Sequence, residues 1–87
     1  MEKHKKIIEK YDGSLEELAE EIGNLRYDAL EHFLISLSNK LAKDSFEDNA
    51  NKRPKLSYAL AAASFKIMES SASISESWDI SKPYMKE

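Results

Sequence analysis

The sequence predicts an all-α fold: a small antiparallel helical bundle built on a long helix hairpin, with two shorter N-terminal helices. Three observations predict it. The length of 87 residues suits one domain, read as 1–87 with 1–2 and 81–87 as flexible ends. Two Gly and two Pro leave little turn material for a many-stranded β fold. Apolar residues recur at helical spacing along most of the chain. A composition 41% hydrophobic and 33% charged is too apolar for a disordered chain and too charged for a membrane protein. A chain this short buries only ~60–65% of its unfolded surface, so its core must be efficient or a partner must complete it.

The first element expected is a two-turn helix over 3–11, with Ile7, Ile8 and Tyr11 on its apolar side. Asp12-Gly13 breaks it. Ser14 and Glu17 then have the spacing of a capping box, in which the hydroxyl and the carboxylate each satisfy an otherwise open backbone amide. Leu15, Leu18, Ala19, Ile22 and Leu25 give the stripe of a short helix over 14–23, which Gly23-Asn24 interrupts. A fresh stripe of Leu30, Phe33, Leu34, Leu37 and Leu41 predicts a longer helix over 25–45, with Lys40 and Lys43 at the end that favours cations. Polar residues 44–52 read as the main loop. Asn51 is the expected N-cap of the last helix, with Pro54 in its first turn.

That last helix, 54–80, carries Leu56, Leu60, Ala63, Ile67, Ser70, Ile74 and Ser77 as its expected core line. A second line of Tyr58, Ala62, Phe65 and Ala72 widens the apolar face. Five of the eight residues in 70–77 are serine, a stretch that reads either as a broken helix or as a seam of small side chains allowing close helix approach. Leu37 and Ile67 are expected to be buried where the hairpin closes.

Charge is segregated. Residues 11–31 carry seven acids against Arg26, residues 32–39 carry none, and residues 40–55 carry five bases against three acids. The absence of cysteine excludes disulfides, thiolate metal sites and cysteine nucleophiles. No apolar run approaches the ~18 residues of a membrane span, and the N-terminus lacks the apolar stretch of a signal peptide. The expectation is a cytoplasmic protein that engages neither membrane nor nucleic acid. The cluster Lys52-Arg53-Pro54-Lys55 is read as a solvated loop, since no helix displays a basic stripe.

Glu16, Glu17, Glu20 and Glu21 form the pattern E-E-x-x-E-E on one helix, where paired carboxylates suit a hard cation such as Mg²⁺. Together with Glu76 and Asp79, spaced E-x-x-D, this pattern resembles the all-α nucleotide pyrophosphatases, which hold Mg²⁺ between such pairs on two helices. The resemblance implies, as an alternative, an Mg²⁺-dependent nucleotide hydrolase with Glu16, Glu17 and Glu20 as metal ligands. It departs from that family in placing its second pair more than fifty residues downstream. A solvated acidic face beside a capping box accounts for the same residues, so no metal, cofactor or catalytic residue is assigned. Asp28 and His32, four apart, are read as a surface contact. The two histidines lack zinc-ligand spacing.

The expected function is therefore non-catalytic: a protein–protein interaction module acting through helix faces, with Trp78, Tyr84 and Tyr58 as contact candidates. The partner is another protein or a second copy. Four helical segments favour a self-contained monomer over a homodimer. If the short N-terminal segments cannot cover the second apolar line, that line becomes an interface.

Overall fold

The computed structural model describes residues 4–85, and these are all-helical with no strand. Helix α1 spans Leu15–Gly23, α2 spans Tyr27–Ala50, α3 spans Pro54–Ser81, and a 3₁₀ turn follows at Lys82–Tyr84. Residues 1–3 and 86–87 lie outside the described set, and with them the expected flexible end 1–2 and the last residues of 81–87.

The start of α1 is set locally. Ser14 Oγ accepts from the Glu17 amide at 3.1 Å, and the Ser14 amide donates to Glu17 Oε1 at 2.9 Å. Both halves of the capping box are present. The Ser14 backbone N–H donating to the carboxylate holds the Glu17 carboxyl below its ordinary pKa, and the Ser14 side chain lowers it further. Asn24 caps the other end, its amide donating to the Glu20 carbonyl at 3.0 Å. Gly13 is needed for a close approach: a Cβ there would lie 2.8 Å from the Tyr11 ring. The phenol of Tyr11 in turn donates to Glu21.

The segment expected as a helix over 3–11 is not one. Its described part is a run of bends and turns, closed by the Tyr11 amide donating to the Ile8 carbonyl at 3.2 Å. A two-turn helix fixes many dihedrals for few hydrogen bonds and needs tertiary packing to persist. Here that packing is lacking, since Ile7 is 71% exposed.

Helix α2 runs on through the polar stretch expected as a loop and ends at Ala50, so Lys40 and Lys43 sit mid-helix rather than at its end. The Lys40–Asp44 ion pair at 2.5 Å, four residues apart, supports that continuation. The turn between α2 and α3 is correspondingly short. Asn51 is the C-cap of α2, not the N-cap of α3, and its side-chain amide donates to the Glu47 carbonyl at 2.9 Å. Lys52 takes a left-handed φ of 62°. Arg53 then precedes Pro54, its amide on the Asp48 carbonyl and its guanidinium on the Asp48 carboxylate at 2.7 Å. Pro54 opens α3, where its missing N–H is harmless. Helix α3 is continuous through 70–77, which resolves the serine-rich stretch in favour of helix.

Helices α2 and α3 pack antiparallel, and their contact is made by serine. Ser38 Oγ donates to the Ser64 carbonyl at 2.8 Å, and Ser64 Oγ donates to the Ser38 carbonyl at 2.8 Å. One step of seven residues nearer the turn, Ser45 Oγ donates to the Ser57 carbonyl at 2.6 Å. Seven residues make two helical turns, so Ser38 and Ser45 lie in line on α2, and Ser57, Ser64 and Ser71 in line on α3. A side chain this small lets the backbones approach until a hydroxyl reaches the carbonyl opposite. Each hydroxyl of these pairs is thereby satisfied, which burial requires. Ser71, beyond the pairs, turns back to the Met68 carbonyl at 2.6 Å.

The seam displaces the expected core. The four buried residues among those described are Ser38, Ser45, Ser64 and Ser71, and no apolar residue is buried. Leu37, expected at the centre of the core, is 37% exposed, and Ile67 is half-buried. The line facing α2 is Ser57–Ser64–Ser71; of the expected line, Leu60, Ile67 and Ile74 flank it half-buried, while Leu56, Ala63 and Ser70 lie one residue before each serine. The second set is about 100° from the seam, whereas the first, three or four residues from the seam serines, lies within roughly 40–60° of it.

Candidate interaction surface

Because serine occupies the centre of the hairpin, its apolar side chains are thrown to either side. One side carries Leu41, Leu56 and Leu60, which with Lys40, Asp44, Asp48, Arg53 and His4 line a cleft of 770 Å³ near the α2–α3 turn. The N-terminal arm therefore reaches from α1 back toward that turn on the leucine side, without filling the space beneath. Helix α1 makes no extended packing with either hairpin helix. Its own apolar residues remain open, Leu15 at 54% exposure. The four-segment closure expected from the sequence is therefore absent. The arm's aliphatic side chains, Ile7 and Ile8, stay exposed and so supply no second layer.

The opposite side is bare. A shallow groove there has a floor of Ser38, Ala42, Ser45, Ala61 and Ser64, with Asn39, Phe65 and Met68 rising along it. Phe46 lies two turns from Asn39, and Tyr58 two turns from Phe65, so both stand on this same side at the turn end. Phe46 is 78%, Tyr58 80% and Phe65 66% exposed. Aromatic rings of this size are mostly covered in folded proteins.

The contact candidates separate. Tyr58 belongs to the bare aromatic side. Trp78 stands at the far end of α3, half-buried, with the Arg26 guanidinium 5.2 Å from its ring centroid. Tyr84 projects from the 3₁₀ turn and is almost fully exposed. Phe46 and Phe65 complete the aromatic side with Tyr58. The signal that would have found it was present as the seven-residue serine spacing, which fixes the seam and so the sides.

Among the described residues no three His, Asp or Glu side chains are placed to hold a metal. Glu17 is engaged by Ser14 and Glu21 by Tyr11, and Asp79 pairs with Lys82 at 3.5 Å. Asp28 turns to Arg26, at 2.7 and 2.9 Å, and to the Ala29 amide, rather than to His32. The Arg26 bonds lower the Asp28 pKa most.

No helix among the described residues is long and apolar enough to cross a membrane. Comparison of the chain with protein-family models, curated proteins and solved structures finds no match to any of them.

Proposed function

We propose that the chain is a non-catalytic protein-interaction module acting through the faces of the α2–α3 hairpin. The observation that carries this reading is a folded hairpin with no buried apolar residue, beside three exposed aromatic side chains on one face. An isolated helical pair whose apolar side chains are at most half-buried gains limited hydrophobic stabilisation, while ordering each residue costs about 1–2 kcal/mol of backbone entropy. The apolar residues do their work when another protein covers them. Exposed apolar patches of this kind mark interaction sites.

The test is the binding of an apolar dye such as 8-anilinonaphthalene-1-sulfonate to the chain at low micromolar concentration. Strong binding that is lost when Phe46, Tyr58 and Phe65 are all replaced by Ser, with helicity retained, supports the reading. Absence of dye binding at every concentration contradicts it, since the faces would then be covered within the single chain.

A further inference from the structure

We infer that the partner on the aromatic face is a second copy of this chain, docked antiparallel so that the turn end of one hairpin meets the open end of the other; this rests on the interaction-module reading above.

Area is the first argument. The accessible surface is 7342 Å², whereas a compact monomer of 9.9 kDa exposes about 5200 Å². The excess, about 2100 Å² over the whole chain with α1 and the N-terminal arm included, leaves room for an obligate homodimer interface, which buries about 2000–5000 Å² in total. The radius of gyration agrees: it is 15.7 Å, against about 12 Å for a compact chain of 87 residues.

Shape is the second. A two-fold interface must be complementary to itself. The aromatic face carries both halves of such a fit: a groove floored by Ala42, Ala61 and the seam serines, and a Phe65 ring 66% exposed beside it. Turned over onto itself, the face presents the Phe65 ring of each copy to the groove of the other.

Charge selects the orientation. Lys43 rims this face toward the turn, four residues from Asn39 and next to Ala42 on α2, whereas Lys40 and Arg53 belong to the leucine side and are paired with Asp44 and Asp48. Toward the open end the rim is Glu69 and Glu76, one turn from Phe65 and one turn from Ala72. An antiparallel pair sets Lys43 of each copy against the acidic end of the other. A parallel pair sets like against like, which opposes association. The leucine side is the less suitable surface, since the N-terminal arm already reaches its turn end at His4.

The experiment combines sedimentation equilibrium at tens of micromolar with single-cysteine cross-linking, which a chain without native cysteine permits. The expected result is a mass near twice 9.9 kDa. It should be halved by Phe65→Glu and unchanged by Tyr84→Ala. Asn39→Cys, midway along the hairpin, should form a disulfide-linked dimer under oxidation, and Asn51→Cys, at the turn, should not. Ready cross-linking through Asn51→Cys alone overturns the orientation. A mass near 9.9 kDa for the folded wild-type chain overturns self-pairing whether or not Phe65→Glu folds. Dye binding separates the causes: a monomer that binds the dye keeps the interaction reading with a different partner, and one that does not removes both.

Discussion

Helix α1 and the α2–α3 hairpin are stabilised in opposite ways. Helix α1 has strong local definition: a complete capping box, acids in its first turn, and a pronounced apolar stripe, yet it packs on nothing extensively. The hairpin helices have no side-chain N-cap at either start and only weak segregation of apolar residues, yet they are long and closely paired. Local signals fix where a helix begins and ends. They do not decide what it packs on. In the hairpin, pairing register does the work that capping does in α1, and it is carried by serine.

The largest effect expected from breaking this contrast is at the seam. Ser64→Leu forces a branched side chain between two backbones close enough for a hydroxyl to bridge them. It should destabilise by about 1–3 kcal/mol from overpacking alone, with the Ser38 carbonyl also losing its cross-helix donor. Ser64→Ala keeps the close approach and removes only the hydroxyl, for about 0.5–1.5 kcal/mol. Chemical denaturation of the pair checks both values; a leucine variant as stable as the alanine variant would mean that the seam has no size restriction.

Next comes the cap. Ser14→Ala should cost roughly 1 kcal/mol in local helix stability, read as faster amide exchange confined to the first turn of α1. Because α1 stands apart, the α2–α3 amides should not respond, and a spread of faster exchange into the hairpin would show that the two regions are coupled.

A smaller effect is the pH dependence of the same cap. The folded pKa of Glu17 lies below its ordinary 4.5, so its contribution is fully present above that value. It is lost as pH falls through the depressed one. Helix α1 should therefore fray first on acidification, with the change at Glu17 visible by carboxyl-detected NMR. The smallest response expected is to Mg²⁺. The acidic side chains of α1 face solvent and are partly engaged by Ser14 and Tyr11, so titration should give only weak, non-saturating shifts at residues 14–23. Saturable shifts confined there would establish a cation site.

What the sequence made legible follows the same division. The all-α class, the Ser14 start, the break at Gly23-Asn24 and the long last helix could all be read, because each depends on neighbours along the chain. The extent of α2 could not. Residues 44–50 are polar, and they stay helical because the Lys40–Asp44 and Arg53–Asp48 pairs and the tight turn at Lys52 hold them. The seam on α3 runs beside the expected core line, because hydrophobic periodicity points to the apolar stripe, whereas the contact is made by hydroxyls. Serines at 38, 45, 57, 64 and 71 are written at seven-residue intervals within each helix. That spacing was legible, but ranking residues by hydrophobicity passes over it. Tyr58 and Phe65, exposed on one side of the hairpin, were legible as members of the second apolar line. Phe46 was hidden in a segment read as loop.

The central claim is that the hairpin closes on serine and leaves its aromatic face for a second copy of the chain. It is tested most directly by the midpoint of thermal unfolding as a function of protein concentration. Association of folded chains stabilises them by mass action. The account predicts a midpoint that rises steadily over a hundredfold increase in concentration, with a loss of that rise in Phe65→Glu. A reversible, cooperative transition with one midpoint at every concentration would contradict it, because the single chain would then be stable without a partner.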